Sequence, residues 1–233
     1  MPRVEPPRPA MVELRHQKLP AGVPLWRLGS RRRPAGVFRD EILDVDDDGR
    51  LGGRFDPTKD CPYPYSYVAL DPMTTLAESI LRDAPYEAGG RLLPHSKYGH
   101  KVMTCLEASR PLQLIRLIDA EDLAAARTDT WLVHAESPDY PVTRRWAHWF
   151  RDCSPAADGM IWPSKRHPGG QVVLLFGDLD RCGSVVGPSP FGTRPLGTKD
   201  GRRWLAGLLE PLFTFLAEDD DEDHEDHGPV GLG

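Results

Sequence analysis

The sequence lacks the features that mark membrane, secreted and zinc-binding proteins. Its apolar runs are far shorter than the roughly 20 residues that a membrane helix requires. The residues after Met1 are charged and rich in proline, without the apolar segment of a signal peptide, so we expect a cytoplasmic protein. Four cysteines, Cys61, Cys105, Cys153 and Cys182, form no CxxC pair. This spacing predicts neither a zinc site nor a disulfide framework.

The motifs of several enzyme and metal-binding classes are also missing. The chain has no GxSxG elbow, no Walker loop and no GxGxxG after a strand, which argues against the familiar hydrolases, kinases and dehydrogenases. Residues 44–49 resemble the start of a calcium loop, but its closing position is Phe55 instead of a glutamate, so we expect a solvated turn. We predict no metal and no resident cofactor.

The acidic charge of the chain is confined to one end. The formal net charge is −6, yet residues 218–226 alone contain eight acidic residues. Without them, 27 acidic residues face 29 basic ones. A block of like charges stays solvated, which predicts a disordered acidic tail over residues 218–233. The weakly basic remainder, including the three arginines of residues 31–33, gives no case for direct nucleic-acid binding.

The secondary-structure signals predict an α+β fold. With 22 glycines and 24 prolines the chain is rich in loops, which excludes a plain helix bundle. Strands and helices without regular alternation favour a compact mixed sheet with flanking helices. We predict a flexible, proline-rich arm over residues 1–24 and a single domain over residues 25–217. Its last helix is expected over residues 200–217, with a kink at Pro211.

The first segment that suggests chemistry is Gly52-Gly53-Arg54. Paired glycines let the backbone approach a ligand closely, and a guanidinium suits bidentate binding of phosphate. A turn with an exposed arginine explains the same residues equally well, so both interpretations stay open.

The second segment places a glutamate after a predicted strand. Asp71 and Pro72 are an N-cap and a first helical residue, and Thr75 with Glu78 has the spacing of a capping box. The functional alternative is a carboxylate beside a cleft, where it holds a ribose hydroxyl or stabilises a cationic sugar transition state. The spacing alone favours the cap, and the functional role stays open as the alternative.

The third segment is a strand followed by a small polar loop. The strand of residues 159–162 leads into Ser164, Lys165 and Arg166, and two glycines precede the next strand. Small polar and basic side chains at a strand end are typical of phosphate or ribose contacts. An ordinary hairpin loop is the alternative.

Taken in order, these segments resemble the RES domain family. The similarity spans residues 25–176, and each piece is short. The pieces are Trp26-Arg27, residues 52–55, Tyr67-Val68-Ala69, residues 75–78, Trp146-Ala147, residues 158–164 and residues 171–176. The resemblance implies a fold like that of ADP-ribosyltransferase toxins.

The resemblance also implies an activity and a partner. Studied family members are bacterial toxins that break the nicotinamide–ribose bond of NAD⁺, with phosphate or water as acceptor, and an Xre-like helix-turn-helix antitoxin neutralises them. Matching positions give the catalytic residues as Arg54, Glu78 and Ser164. The matching substrate-binding positions are Arg27, Tyr67 and Gly53.

From the resemblance we can assign hypothetical roles. Arg54, with Arg27, binds the pyrophosphate, and Tyr67 stacks on the nicotinamide ring. Glu78 binds the ribose and stabilises its oxocarbenium-like transition state, while Ser164 hydrogen-bonds the same ribose or orients the amide. NAD⁺ is then the substrate and inorganic phosphate a co-substrate. Two alternatives remain, namely ADP-ribosyl transfer to a macromolecule and a module that binds NAD⁺ or ADP-ribose without cleaving it.

Overall fold

A computed structural model describes residues 5–7, 12–30, 38–39, 42, 52–177 and 185–217. The predicted turn at residues 44–49, the arginines of residues 31–33, Cys182 and the acidic tail lie outside these described residues. None of the helices in the described part of the chain is long and apolar enough to cross a membrane.

The structure combines short strands with short helices. The strands are β1 (His16–Leu19), β2 (Pro24–Ser30), β3 (Tyr65–Ala69), β4 (Arg91–Leu93), β5 (Lys101–Ala108), β6 (Leu112–Arg116), β7 (Gly159–Pro163), β8 (Gln171–Phe176), β9 (Val186–Pro195) and β10 (Thr214–Leu216). The helices are α1 (Pro72–Ala77), α2 (His95–Tyr98), α3 (Ala120–Ala125), α4 (Thr130–His134), α5 (Tyr140–Cys153) and α6 (Lys199–Leu209).

Within the described residues, eight strands form one mixed sheet in the order β1-β6-β7-β8-β3-β2-β5-β9. Only the β6–β7 pair of this sheet is parallel, and the other neighbours are antiparallel. The parallel pair β10–β4 forms a separate small sheet. The predicted α+β class, with a mixed sheet and flanking helices, is confirmed.

Both faces of the central strands are buried, as β8 shows. Leu174 and Phe176 point into one core cluster, where Trp146 of α5 is fully buried. Val173 and Leu175 point into the opposite cluster. Alternate residues of a strand face opposite sides of a sheet, so a continuous apolar run marks a strand covered on both faces.

The predicted flexible arm over residues 1–24 is wrong in part. His16–Leu19 forms β1, which pairs antiparallel with β6 at the edge of the large sheet. Leu19 is buried in the core, and Pro20 follows the strand without interrupting it. Proline is tolerated at strand ends and sheet edges, so a high proline content did not exclude a strand here.

The predicted last helix is also shorter than expected. α6 ends at Leu209, and a single 3₁₀ turn, Glu210–Leu212, contains Pro211. Phe213 then adopts a left-handed backbone conformation, and the chain continues as β10. Pro211 ends the α-helix instead of kinking it, because proline has no N–H for the helical hydrogen bond.

The sheet brings the helix after β3 and the loop after β7 together at one edge. Both β3 and β7 run antiparallel to β8, so they run parallel to each other. Val172 of β8 pairs with Ala69 near the end of β3 and with Trp162 near the end of β7. The helix that follows β3 and the loop that follows β7 therefore meet at the same edge.

Close packing between β7 and β8 gives a test of this arrangement. A Cβ atom added at Gly159 would lie 2.1 Å from the carbonyl oxygen of Leu174, whereas one added at Gly29 of β2 would have no atom within 4 Å. We expect Gly159→Ala to lower the free energy of unfolding by about 1–3 kcal/mol. The matched Gly29→Ala variant should change it by less than about 1 kcal/mol. Equal effects in urea denaturation contradict the described register.

Candidate active site

A cleft of about 340 Å³ lies at this edge of the sheet, beside α1. Five of the six predicted site residues line it, namely Arg27, Gly53, Arg54, Tyr67 and Glu78. The sixth, Ser164, is buried behind Glu78 and contacts its carboxylate. The structure thus brings together residues that are more than 130 positions apart in the sequence. The cavity volume falls within the range of small-molecule sites.

The Glu78 carboxylate is held by the loop after β7. The Ser164 hydroxyl donates to Glu78 Oε1 at 2.6 Å, and the Arg166 backbone N–H donates to the same oxygen at 3.2 Å. Glu78 itself is half-buried. Hydrogen bonds to a carboxylate are among the stronger polar contacts, so the orientation of this side chain is fixed from outside its own helix.

The interpretation of Glu78 as a capping-box residue at the start of the helix is wrong. The N-cap of α1 is Asp71, whose side chain accepts from the Thr74 N–H, as the Asp71-Pro72 pair predicts. Glu78 stands at the opposite end, as the C-cap residue of a six-residue helix. A carboxylate there gains nothing from the helix dipole, since the carbonyl end of a helix favours cations. Its position therefore depends on the Ser164 loop.

Ser164 uses its whole hydrogen-bonding capacity within the protein. Its hydroxyl donates its one proton to Glu78 and accepts from the backbone N–H groups of Arg166 and His167, at 3.1 and 2.9 Å. The hypothesis that Ser164 donates to a ribose or an amide needs a proton that Glu78 already receives. In this arrangement the Ser164 hydroxyl holds the Glu78 carboxylate in place.

A second contact joins the same loop to α1. The Thr74 hydroxyl donates to Asp71 Oδ2 at 2.5 Å and lies 2.8 Å from Nδ1 of His167. Thr74 has one hydroxyl proton, so His167 Nδ1–H is the donor in the second contact. A Cβ atom added at Gly170 would lie 2.0 Å from Thr74 Oγ1, so this approach of loop and helix requires a glycine.

Arg54 lies across the cleft, with its backbone and side chain both bound. Its guanidinium donates to the Ala135 carbonyl at 3.2 and 3.4 Å, and its carbonyl accepts from the Thr143 hydroxyl. Burial lowers the pKa of Arg54, while Tyr140 and Tyr67 act in the opposite direction. An arginine keeps its positive charge in proteins despite such a shift. The interpretation of Arg54 as a merely exposed turn residue does not fit this burial.

The cleft carries more positive than negative side chains. Its basic residues are Arg27, Arg39, Arg54 and Arg82, and its acidic residues are Asp56 and Glu78. Such a surplus suits an anionic ligand, because arginine binds phosphate oxygens in bidentate geometry. Among the described residues, no three histidine, cysteine or acidic side chains are grouped so as to hold a metal ion.

Tyr67 and Gly53 form one packed wall of the cleft. The Tyr67 hydroxyl accepts from the Phe55 N–H at 3.0 Å, and its ring packs edge-on against Trp162 with centroids 6.2 Å apart. A Cβ atom added at Gly53 would lie 2.7 Å from the Tyr67 hydroxyl and 2.8 Å from Oδ1 of Asp56. The close approach that Gly53 permits is therefore to the protein's own side chains.

Sequence reasoning missed several residues of the cleft. Asp56 is buried and accepts from the Gly53 N–H at 2.7 Å and from the Tyr65 hydroxyl at 3.1 Å. Arg82 donates to the Tyr140 hydroxyl at 3.2 Å, and both residues line the cleft. One signal was available, since Arg82 is a basic residue only four positions after Glu78. Tyr140 gave none, because its place depends on the packing of α5.

The comparison with known proteins gives one family and a distant structural likeness. Residues 24–194 match the family model of the RES domain. No curated protein matches the chain. The chain is similar to one in the crystal structure of the M. tuberculosis MbcT–MbcA toxin–antitoxin complex, with 14% sequence identity and a TM-score of 0.46. That alignment covers 72% of this chain and 82% of the other.

Tyr67 gives a pH dependence that tests the buried wall. Burial raises the pKa of Tyr67 well above its ordinary value, and the negative charge of Asp56 acts in the same direction. The folded protein thus keeps this proton at pH values where the unfolded chain releases it. The resulting stability is complete below about pH 10 and is lost as the pH rises above it.

We therefore expect the free energy of unfolding to fall above about pH 10, and to fall less steeply in the Tyr67→Phe variant. The difference in slope should approach 1.4 kcal/mol per pH unit, the value for one proton, in urea denaturation between about pH 10 and 11. Below about pH 9, where a tyrosine of ordinary pKa is still protonated, the free energy of unfolding of the two proteins should change with pH in parallel. Identical slopes above pH 10 contradict a Tyr67 that stays neutral in the folded protein.

Proposed function

The chain belongs to the RES domain family, and from this premise we propose that it is an enzyme that cleaves the nicotinamide–ribose bond of NAD⁺. The observation that carries the proposal is the Glu78 carboxylate, fixed by Ser164 at the edge of a cleft with a surplus of arginines. A fixed carboxylate and a cationic cleft are what a positively charged sugar and a pyrophosphate require.

The reaction proposed is a displacement at the anomeric carbon of the nicotinamide ribose. The C–N bond breaks, and its electron pair goes to the ring nitrogen, so nicotinamide leaves as a neutral molecule. The sugar carbon becomes electron-poor, and the Glu78 carboxylate stabilises the oxocarbenium-like transition state. An oxygen of phosphate or water then bonds to this carbon, and ADP-ribose 1-phosphate or ADP-ribose is formed, with a proton released in the case of water.

The leaving group explains why one carboxylate suffices. Nicotinamide is expelled from a pyridinium that already carries the positive charge, so no general acid has to protonate it. The two-carboxylate arrangement of ordinary glycosidases is therefore not needed. In the proposal Arg54 and Arg27 bind the pyrophosphate, and Tyr67 lies against the nicotinamide ring.

The cellular setting is part of the same proposal. We propose a reducing cytoplasm as its location, where NAD⁺ is present; the described cysteines Cys61, Cys105 and Cys153 form no disulfide, which is compatible with that location. Membership of the RES family supports a role as a toxin and, as its partner, an Xre-like helix-turn-helix antitoxin.

The first test is direct. Purified protein incubated with NAD⁺, with and without inorganic phosphate, should release nicotinamide. ADP-ribose 1-phosphate among the products identifies phosphate as the acceptor, and ADP-ribose identifies water. Label from the ADP-ribose moiety that ends on protein or nucleic acid identifies a macromolecular acceptor instead. Folded protein that binds NAD⁺ with measurable heat but releases no nicotinamide contradicts the enzymatic proposal.

A pair of glutamate variants controls this assay. Glu78→Gln keeps an oxygen for the Ser164 hydroxyl but removes the negative charge, so we expect turnover to fall by about 10³-fold with the melting temperature nearly unchanged. Glu87→Gln, at an exposed glutamate that does not line the cleft, should keep wild-type turnover. Full activity of Glu78→Gln excludes the proposed role of the carboxylate.

Ser164 gives a separate prediction because it acts through Glu78. Ser164→Ala removes one of the two hydrogen bonds that hold the Glu78 carboxylate, so kcat should fall by about 10–100-fold while KM changes little. Ser164→Thr retains the hydroxyl and should recover most of kcat. A change in KM alone, or equal losses in the alanine and threonine variants, argues against a positioning role.

A further inference from the structure

A second cavity, of about 510 Å³, adjoins the cleft. Leu28, Arg39 and Ser79 line both spaces, so the two cavities share a wall that carries an arginine. Glu78 lines the first cleft and is absent from the lining of the second. The two cavities are therefore neighbours, with Arg39 in their common wall.

The second cavity is positively charged. Arg39, Lys97 and Lys101 line it together with His100, and Asp83 is the one acidic residue among the described lining residues. Lys97 is exposed and Lys101 is half-buried. Among the described residues neither lysine forms an ion pair, so their ammonium groups are available to a phosphate group.

Apart from Ser79 and Ser96, the rest of the second cavity is apolar. Ile80 and Leu93 are buried in its wall, while Leu92 is 65% exposed. Pro85 and Pro94 complete this surface. An apolar wall beside basic side chains suits a flat heteroaromatic base joined to a phosphate, since small-molecule sites combine apolar contact area with a few polar anchors.

We infer that the second cavity binds the adenylate half of the dinucleotide, with its phosphate at Arg39, Lys97 and Lys101 and its base against the apolar wall. This inference rests on the proposed function. The nicotinamide ribose lies in the first cleft beside Glu78, and the pyrophosphate crosses the shared wall at Arg39. The enzyme then recognises both halves of its substrate.

Inorganic phosphate is a less suitable occupant of the second cavity. A phosphate acceptor has to reach the sugar carbon beside Glu78, and Glu78 lines only the first cleft. Free phosphate also makes no use of an apolar wall. The adenylate group uses both the charge and the apolar surface.

The kinetic test compares NAD⁺ with nicotinamide mononucleotide, which has the same scissile bond but lacks the adenylate half. Wild-type protein should prefer NAD⁺ in kcat/KM by at least about tenfold. In the double variant Lys97→Glu/Lys101→Glu this preference should fall by about tenfold. The double variant Lys18→Glu/Lys199→Glu reverses two exposed lysines that line neither cavity and should keep the wild-type preference. Equal use of both substrates by wild-type protein, or an unaltered preference after Lys97→Glu/Lys101→Glu, overturns the inference.

The binding test does not depend on turnover. In calorimetry, AMP should bind wild-type protein and the Lys18→Glu/Lys199→Glu control, and should bind at least about tenfold more weakly to Lys97→Glu/Lys101→Glu. No AMP binding to wild-type protein, or inorganic phosphate binding as tightly as AMP, overturns the adenylate assignment. Protein that binds AMP as described yet releases no nicotinamide from NAD⁺ refutes the proposed function and supports the adenylate site.

Discussion

The hydrogen bond between the Ser164 hydroxyl and the Glu78 carboxylate joins the two parts of the candidate site. Glu78 stands at the carbonyl end of a very short helix, where its own helix does not stabilise a negative charge. The loop after β7 supplies the missing contacts, through the Ser164 hydroxyl and a backbone N–H. Because β3 and β7 end at the same edge of the sheet, the order of the strands brings this loop to Glu78. The geometry of the Glu78 carboxylate therefore depends on the whole sheet.

The opposite wall of the cleft is also held by contacts between two separate segments of the chain. Tyr67, Gly53 and Asp56 are in close contact, so little space remains between the strand β3 and the segment before it. The buried negative charge of Asp56 helps to keep Tyr67 neutral. A neutral, immobile aromatic ring next to charged arginines offers one place for a flat ring and others for phosphate oxygens. One wall thus presents the Glu78 carboxylate, and the other presents a tyrosine that is kept neutral.

Local signals in the sequence were sufficient for the central strands and for the start of α1, where Asp71 and Pro72 form the predicted cap. They were insufficient for β9, which contains three prolines and was not predicted as a strand. It pairs with β5 at the sheet edge, where proline is tolerated. The ordered motifs predicted which residues meet in the cleft. They did not reveal the use that the fold makes of Ser164, because its partner lies 86 positions away in the chain.

The first strand has a consequence for how the molecule is divided. The span that matches the RES family begins at residue 24, whereas β1 covers His16–Leu19 and pairs with β6. If the chain were cut at the family boundary, β6 would become an unprotected edge, whose free N–H and C=O groups attract strands of other molecules. The sheet of this protein therefore extends beyond its family match, because β1 covers the edge that β6 would otherwise expose.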